Sequence, residues 1–150
     1  MTARFLTAFV TKHQQSMQHF IKKLKDKTMN HHIKELHVLE AHEKIKKGAI
    51  LLDVREPEEI SSTAFDVENQ LQIPVDHVPL RYLELPRNRE IIVGCHSGNR
   101  SRQITLFLIE HQFDQVYNLT GGIRAWEDHG LQVIDDCEIT EAVPETDLSI

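Results

Sequence analysis

Cysteine is scarce in this chain of 150 residues: Cys95 and Cys137 are the only two, too few for a disulfide scaffold and in keeping with a reducing compartment. Long apolar runs are missing as well. No stretch reaches the roughly 20 apolar residues that a membrane-spanning helix needs, and the start lacks the uninterrupted apolar block and cleavage site of a secretory signal. Nor is positive charge in excess. The 17 Lys and Arg stand against 23 Asp and Glu, a net charge of -6, which gives no reason to expect a nucleic-acid partner. Internal repeats and low-complexity blocks are absent. One soluble, cytoplasmic domain is therefore the default expectation.

Charge is nevertheless uneven along the chain. Residues 1–28 carry Arg4, Lys12, Lys22, Lys23, Lys25 and Lys27 against Asp26 alone, whereas 131–150 hold six acids and no Lys or Arg. Near the start, Leu6, Phe9, Val10, His13, Met17, Phe20, Ile21 and Leu24 recur at helical spacing, which predicts an amphipathic helix over about 3–27. Its apolar stripe has three candidate partners. These are its own domain, a second copy of the chain in a homodimer, or a membrane surface, and an organelle transit peptide is a further reading, since the segment is basic and acid-poor. The expected organisation is an N-terminal helical extension over 1–30, a compact domain over 31–133 and an acidic tail over 134–150.

In the middle, short apolar runs alternate with helical stretches. "AILLDV" and "EIIVGC" are continuously apolar, as strands buried on both sides should be. The alternation predicts βαβ units and an α/β fold, with a mainly parallel central sheet flanked by helices on both faces. Both runs end in chemistry: Asp53 and Arg55 follow one, Cys95 the other. In parallel α/β sheets, ligand sites lie beyond the carboxyl ends of the strands.

Helical periodicity resumes at about Ser101, with Ile104, Leu106, Phe107 and Leu108 as expected core positions, so Cys95 to Arg100 reads as a tight strand-to-helix turn. In such a turn successive backbone N–H groups point inward and the helix adds its positive end, which makes a cradle for an anion. A thiolate there gains from the same groups and from neighbouring guanidinium charge. Gly98 supplies torsions that most residues resist. Ser101 is placed to cap the helix. Arg100 and Arg102 are the candidate contacts for an oxyanionic substrate.

The blocks "LLDVREPEE", "CHSGNRSRQ" and "FDQVYNLTGGIRAW" occur in that order, and together they resemble a single-domain rhodanese, the sulfurtransferase homology domain, over about 33–133. The resemblance implies a rhodanese-like α/β fold with an extra N-terminal helix. It also implies a Cys95 that accepts sulfane sulfur from a small sulfur-containing anion such as thiosulfate and passes it on as a persulfide. By the same resemblance His96, Ser97, Gly98, Asn99, Arg100 and Ser101 form the substrate cradle. Asp53, Arg55 and Arg102 support it, no cofactor is needed, and a partner protein can serve as sulfur donor or acceptor. Trp126 is expected to pack rather than react. Related phosphatases place the loop arginine one position further from the cysteine, in a wider loop, so sulfur transfer is favoured over phosphate-ester hydrolysis.

Two departures stand out. "STAFDVENQLQIPV" replaces the family's usual glycine-rich connection before the third strand, which bears on access and substrate choice. His96 stands where the family often has arginine, removing one fixed charge. A binding or sulfur-relay module with little small-molecule turnover is the alternative reading.

Elsewhere, His31, His32, His37 and His42 form no recognisable ligand set, so no metal site is expected. Glu56, Glu58 and Glu59 are expected to begin a solvated helix after Pro57. Cys137 reads as a surface thiol in an acidic tail, with a resolving disulfide to Cys95 as the alternative.

Overall fold

The computed structural model describes residues 14–19 and 32–136. Residues 14–19 are helical and Met17 is exposed. The rest of the helix expected over 3–27 lies outside the described residues, as do Cys137 and most of the acidic tail. The chain divides after His32 into two units.

The second unit comprises, in order, β1 (Lys34–Leu36), α1 (Val38–Lys46), β2 (Ile50–Asp53), α2 (Pro57–Ser62), β3 (Thr63–Phe65), β4 (Gln70–Gln72), α3 (Val78–Arg81), β5 (Ile91–Gly94), α4 (Asn99–Glu110), β6 (Val116–Leu119), α5 (Gly122–Asp128) and β7 (Val133–Asp135). Two 3₁₀ turns flank α3. Five strands form one parallel sheet in the order β1-β6-β5-β2-β4, while β3 and β7 pair antiparallel apart from it. The connection over 61–73 thus supplies β3 and β4. Likewise β7 takes in Ile134 and Asp135, because Phe65 pairs with Val133 and continues the ladder into the segment expected to be tail.

Every residue of β2 and β5 is buried, as two-sided apolar strands require. Successive side chains point to opposite faces. Leu52, Ile91, Val93 and Cys95 pack with Ile104 and Leu108 of α4, while Leu51 and Ile92 pack with α1, α5, Phe65 and Trp126 on the other face. Helices therefore cover both faces, and strand parity assigns Cys95 to the α4 side. Gly94 belongs to the opposite side: a side chain there would crowd Leu51, Phe65 and Leu119.

Helix α4 begins at Asn99 rather than near Ser101, because Gly98, with φ 101°, is its N-cap. That phase buries Ser101, Ile104, Thr105 and Leu108, leaving Leu106 and Phe107 half-buried.

Candidate active site

Cys95 ends the β5 run and is 1% exposed. Beyond it the chain folds back over the sulfur. The Gly98 N–H donates to Cys95 Sγ at 3.1 Å and the Ser101 N–H at 3.4 Å, with Ser101 Oγ at 3.3 Å. Only the left-handed torsion of Gly98 lets the loop close so tightly. The loop is also held from behind. At the N-terminus of α5, Ile123 N–H donates to the Cys95 carbonyl at 2.9 Å and Arg124 N–H to the His96 carbonyl at 3.3 Å. A Cβ at Gly122 would collide with both carbonyls, so the glycine pair after β6 is what allows α5 to approach.

Burial by itself would push the Cys95 thiol up. The Ser101 hydroxyl and the N–H groups of Ser101, Gly98 and Ser97 outweigh it, and the thiol lies below its ordinary value. Ser101 thus serves the sulfur rather than capping α4 as its position suggested; as the third helical residue its side chain turns inward. Its hydroxyl donates to Asn118 Oδ1 at 2.6 Å and accepts on the side of the sulfur.

The other cradle residues divide. His96, Ser97 and Asn99 are exposed, so the loop offers backbone groups to the sulfur and polar side chains to solvent. Arg100 is half-buried and forms a two-pronged ion pair with Glu59 of α2, both contacts at 2.7 Å. That pairing, with its hydrogen bonds first, lowers the Glu59 carboxyl from an ordinary 4.5 to about 2 and raises Arg100. Glu59 Oε2 is further held by the Glu56 N–H at 3.0 Å, in the capping box that starts α2. Glu59 is therefore a loop partner, not simply a residue on a solvated helix. Arg102 is 61% exposed and its nearest acid, Glu35, lies at 3.9 Å.

Asp53 and Arg55 stand at the carboxyl end of β2 as expected, yet neither presents charge to the loop. They are 0% and 2% exposed and bond to each other, with Nη2 to Oδ2 at 2.7 Å and Nε to Oδ1 at 3.0 Å. Arg55 also donates to the Thr63 carbonyl and lies over the Phe65 ring. Strand parity explains this: both residues follow Leu51 onto the face opposite Cys95. Trp126 is fully buried against Phe65 and donates to the Gln132 carbonyl, which is packing. No cluster of possible metal ligands occurs among the described residues, and no helix among them is long and apolar enough to cross a membrane.

Four contributors are not apparent from motif spacing: Glu59, Asn118, Glu35 and Gly122. The asparagine inside the strand "VYNL" and a double glycine one residue beyond it were the available signals for two of them.

Comparison with known proteins agrees with this fold. Residues 37–129 match the model of the rhodanese-like domain. A sulfurtransferase of Allochromatium vinosum is 38% identical over 88 residues, spanning 59% of this chain and 80% of that protein. Among solved structures, a rhodanese-related protein of Thermoplasma volcanium is 29% identical with a TM-score of 0.61, covering 67% of this chain and 97% of its own. An NAD-dependent persulfide reductase of A. fulgidus is 29% identical with a TM-score of 0.54, covering 72% of this chain but only 18% of its own. With the match extending over more than half of its length and the parallel sheet in common, the chain belongs to the rhodanese-like domain family.

Proposed function

We propose that the protein is a sulfurtransferase in which Cys95 carries the sulfur as a persulfide. The observation that carries this reading is the convergence of the Gly98 and Ser101 N–H groups on one buried sulfur, with the Ser101 hydroxyl oxygen beside it. The Cys95 thiolate attacks the outer sulfur of a donor such as thiosulfate. An S–S bond to Sγ forms, the donor's own sulfur–sulfur bond breaks, and sulfite leaves with the electron pair. A nucleophilic acceptor then attacks the outer sulfur, and Cys95 departs as a thiolate. The same N–H donors stabilise negative charge on Sγ before the first step and after the second, and being fixed in the fold they need no reorganisation. Arg100 has five N–H donors and spends two on Glu59, so the rest remain for an anionic donor at the loop.

A sulfur-relay module that docks a partner protein is the second reading. Glu59 already balances the Arg100 charge, which weakens attraction for a small anion, and the similar domain in the persulfide reductase is a small part of a larger chain.

Intact-protein mass spectrometry after thiosulfate treatment tests the proposal. One added sulfur is expected on the wild type and on Cys137→Ser, and none on Cys95→Ser. An adduct that survives Cys95→Ser would refute the assignment. A wild type that stays unmodified while reduced and folded would leave the relay as the function.

A further inference from the structure

Asn118 of β6 is 3% exposed and reaches Cys95 through Ser101. Its amide nitrogen lies 2.8 Å from Glu35 Oε2 and 3.4 Å from the Gly98 carbonyl oxygen. Both can only accept, so the nitrogen must face them and Oδ1 must face Ser101. An amide oxygen cannot donate, so across the 2.6 Å contact the Ser101 hydroxyl is the donor. A hydroxyl has one proton. Hence at the 3.3 Å contact between Sγ and Ser101 Oγ the hydroxyl oxygen is left to accept, an arrangement that suits Cys95 in its thiol form as the donor. The chain of donors runs from Cys95 to Ser101 and on to Asn118, whose amide in turn donates to Glu35. Glu35 is itself steadied by the Thr120 hydroxyl at 3.1 Å.

When Cys95 ionises, one proton leaves Sγ for solvent and the sulfur can only accept. The Ser101 hydroxyl can then help the thiolate only by turning away from Asn118, whose buried Oδ1 loses its donor. We propose that Asn118, oriented by Glu35, is a positioning residue that opposes ionisation of Cys95 by holding the Ser101 proton, so that Ser101 switches partners each time the thiolate forms. The other charged groups around the loop are Asp53 of β2 paired with Arg55, Glu59 of α2 paired with Arg100 of α4, Arg102 near Glu35, and the exposed Arg124 of α5, whose N–H holds the His96 carbonyl. His96 is next to Cys95 in the chain and exposed.

The inference rests on Cys95 being the reacting thiol, yet it is read without any sulfur donor. The experiment is a pH titration of ultraviolet thiolate absorbance in the full chain carrying Cys137→Ser. Adding Asn118→Ala should move the Cys95 midpoint down by about one pH unit, or about tenfold more thiolate below the midpoint. Glu35→Gln, at an exposed position, should move it the same way by less, because the amide is no longer held in one orientation, and it carries the test if Asn118→Ala does not fold. In a Ser101→Ala background both shifts should vanish. Shifts of equal size with and without Ser101 would mean simple charge or solvation effects and would overturn the proposal, as would an unmoved midpoint. Failure to load sulfur from thiosulfate, with the titrations as expected, would count against the donor and not against this switch.

Discussion

Two arginine–carboxylate pairs flank the sheet's carboxyl edge, and they behave as opposites. Arg55 and Asp53 are sealed in the core, at 2% and 0% side-chain exposure, whereas Arg100 and Glu59 are each 35% exposed. The bonding is similar: both guanidiniums grip both carboxylate oxygens. Burial makes the difference. Inside the core neither ion can find water if its partner is lost, so the pair is committed to holding β2 against β3 through the Thr63 carbonyl. At the loop, water can replace either partner, so the pair is exchangeable and its arginine can turn to a passing anion.

The strongest way to break that comparison is in the core. Asp53→Ala should cost about 3–5 kcal/mol, because it strands the Arg55 cation without water; urea denaturation would measure it, and a loss below about 1 kcal/mol would show that the site rehydrates. At the loop the balance reverses. Arg100→Ala should cost less than about 1 kcal/mol of stability while slowing sulfur loading of Cys95 by about ten- to a hundredfold, the value of a charge-assisted contact with an anionic donor. Time-resolved mass spectrometry would follow it, and unchanged loading would remove Arg100 from donor recognition.

The smallest effect is expected from Glu59→Gln. The Glu59 carboxyl is lowered in the folded protein, from 4.5 to about 2, so its contribution to stability is complete above the ordinary carboxylate range and is lost as pH falls through that window. Wild type should exceed Glu59→Gln by less than about 1 kcal/mol near neutrality, with the two denaturation midpoints converging between those values. A gap that persists at the acid end would assign the difference to packing instead of charge.

Much of this architecture can be read from the chain. Continuous apolar runs such as "AILLDV" mark the two central strands because burial on both faces leaves no place for polar alternation. Gly98 marks the turn because few other residues accept its torsion. The helix phase was less legible. Moving the start of α4 from Ser101 to Asn99 comes with burial of Thr105, which satisfies its hydroxyl by donating to the Ser101 carbonyl at 2.8 Å. Propensity alone would favour burying Leu106 there. The polar partners were legible least of all, since Glu59 lies 41 residues from Arg100, and Glu35 lies 83 residues from Asn118.

By itself, the sequence determined the α/β alternation, the cysteine at the end of a buried strand and the glycine-bearing turn into a helix. These depend on neighbours along the chain, whose spacing and torsions are local. Tertiary structure alone decided that Asp53 and Arg55 turn away from the sulfur, that Glu59 grips Arg100, and that Asn118 claims the Ser101 proton. Those outcomes follow from strand parity, register and the need of each buried polar atom for a partner, and that need is met by whichever distant residue the packed sheet brings within reach.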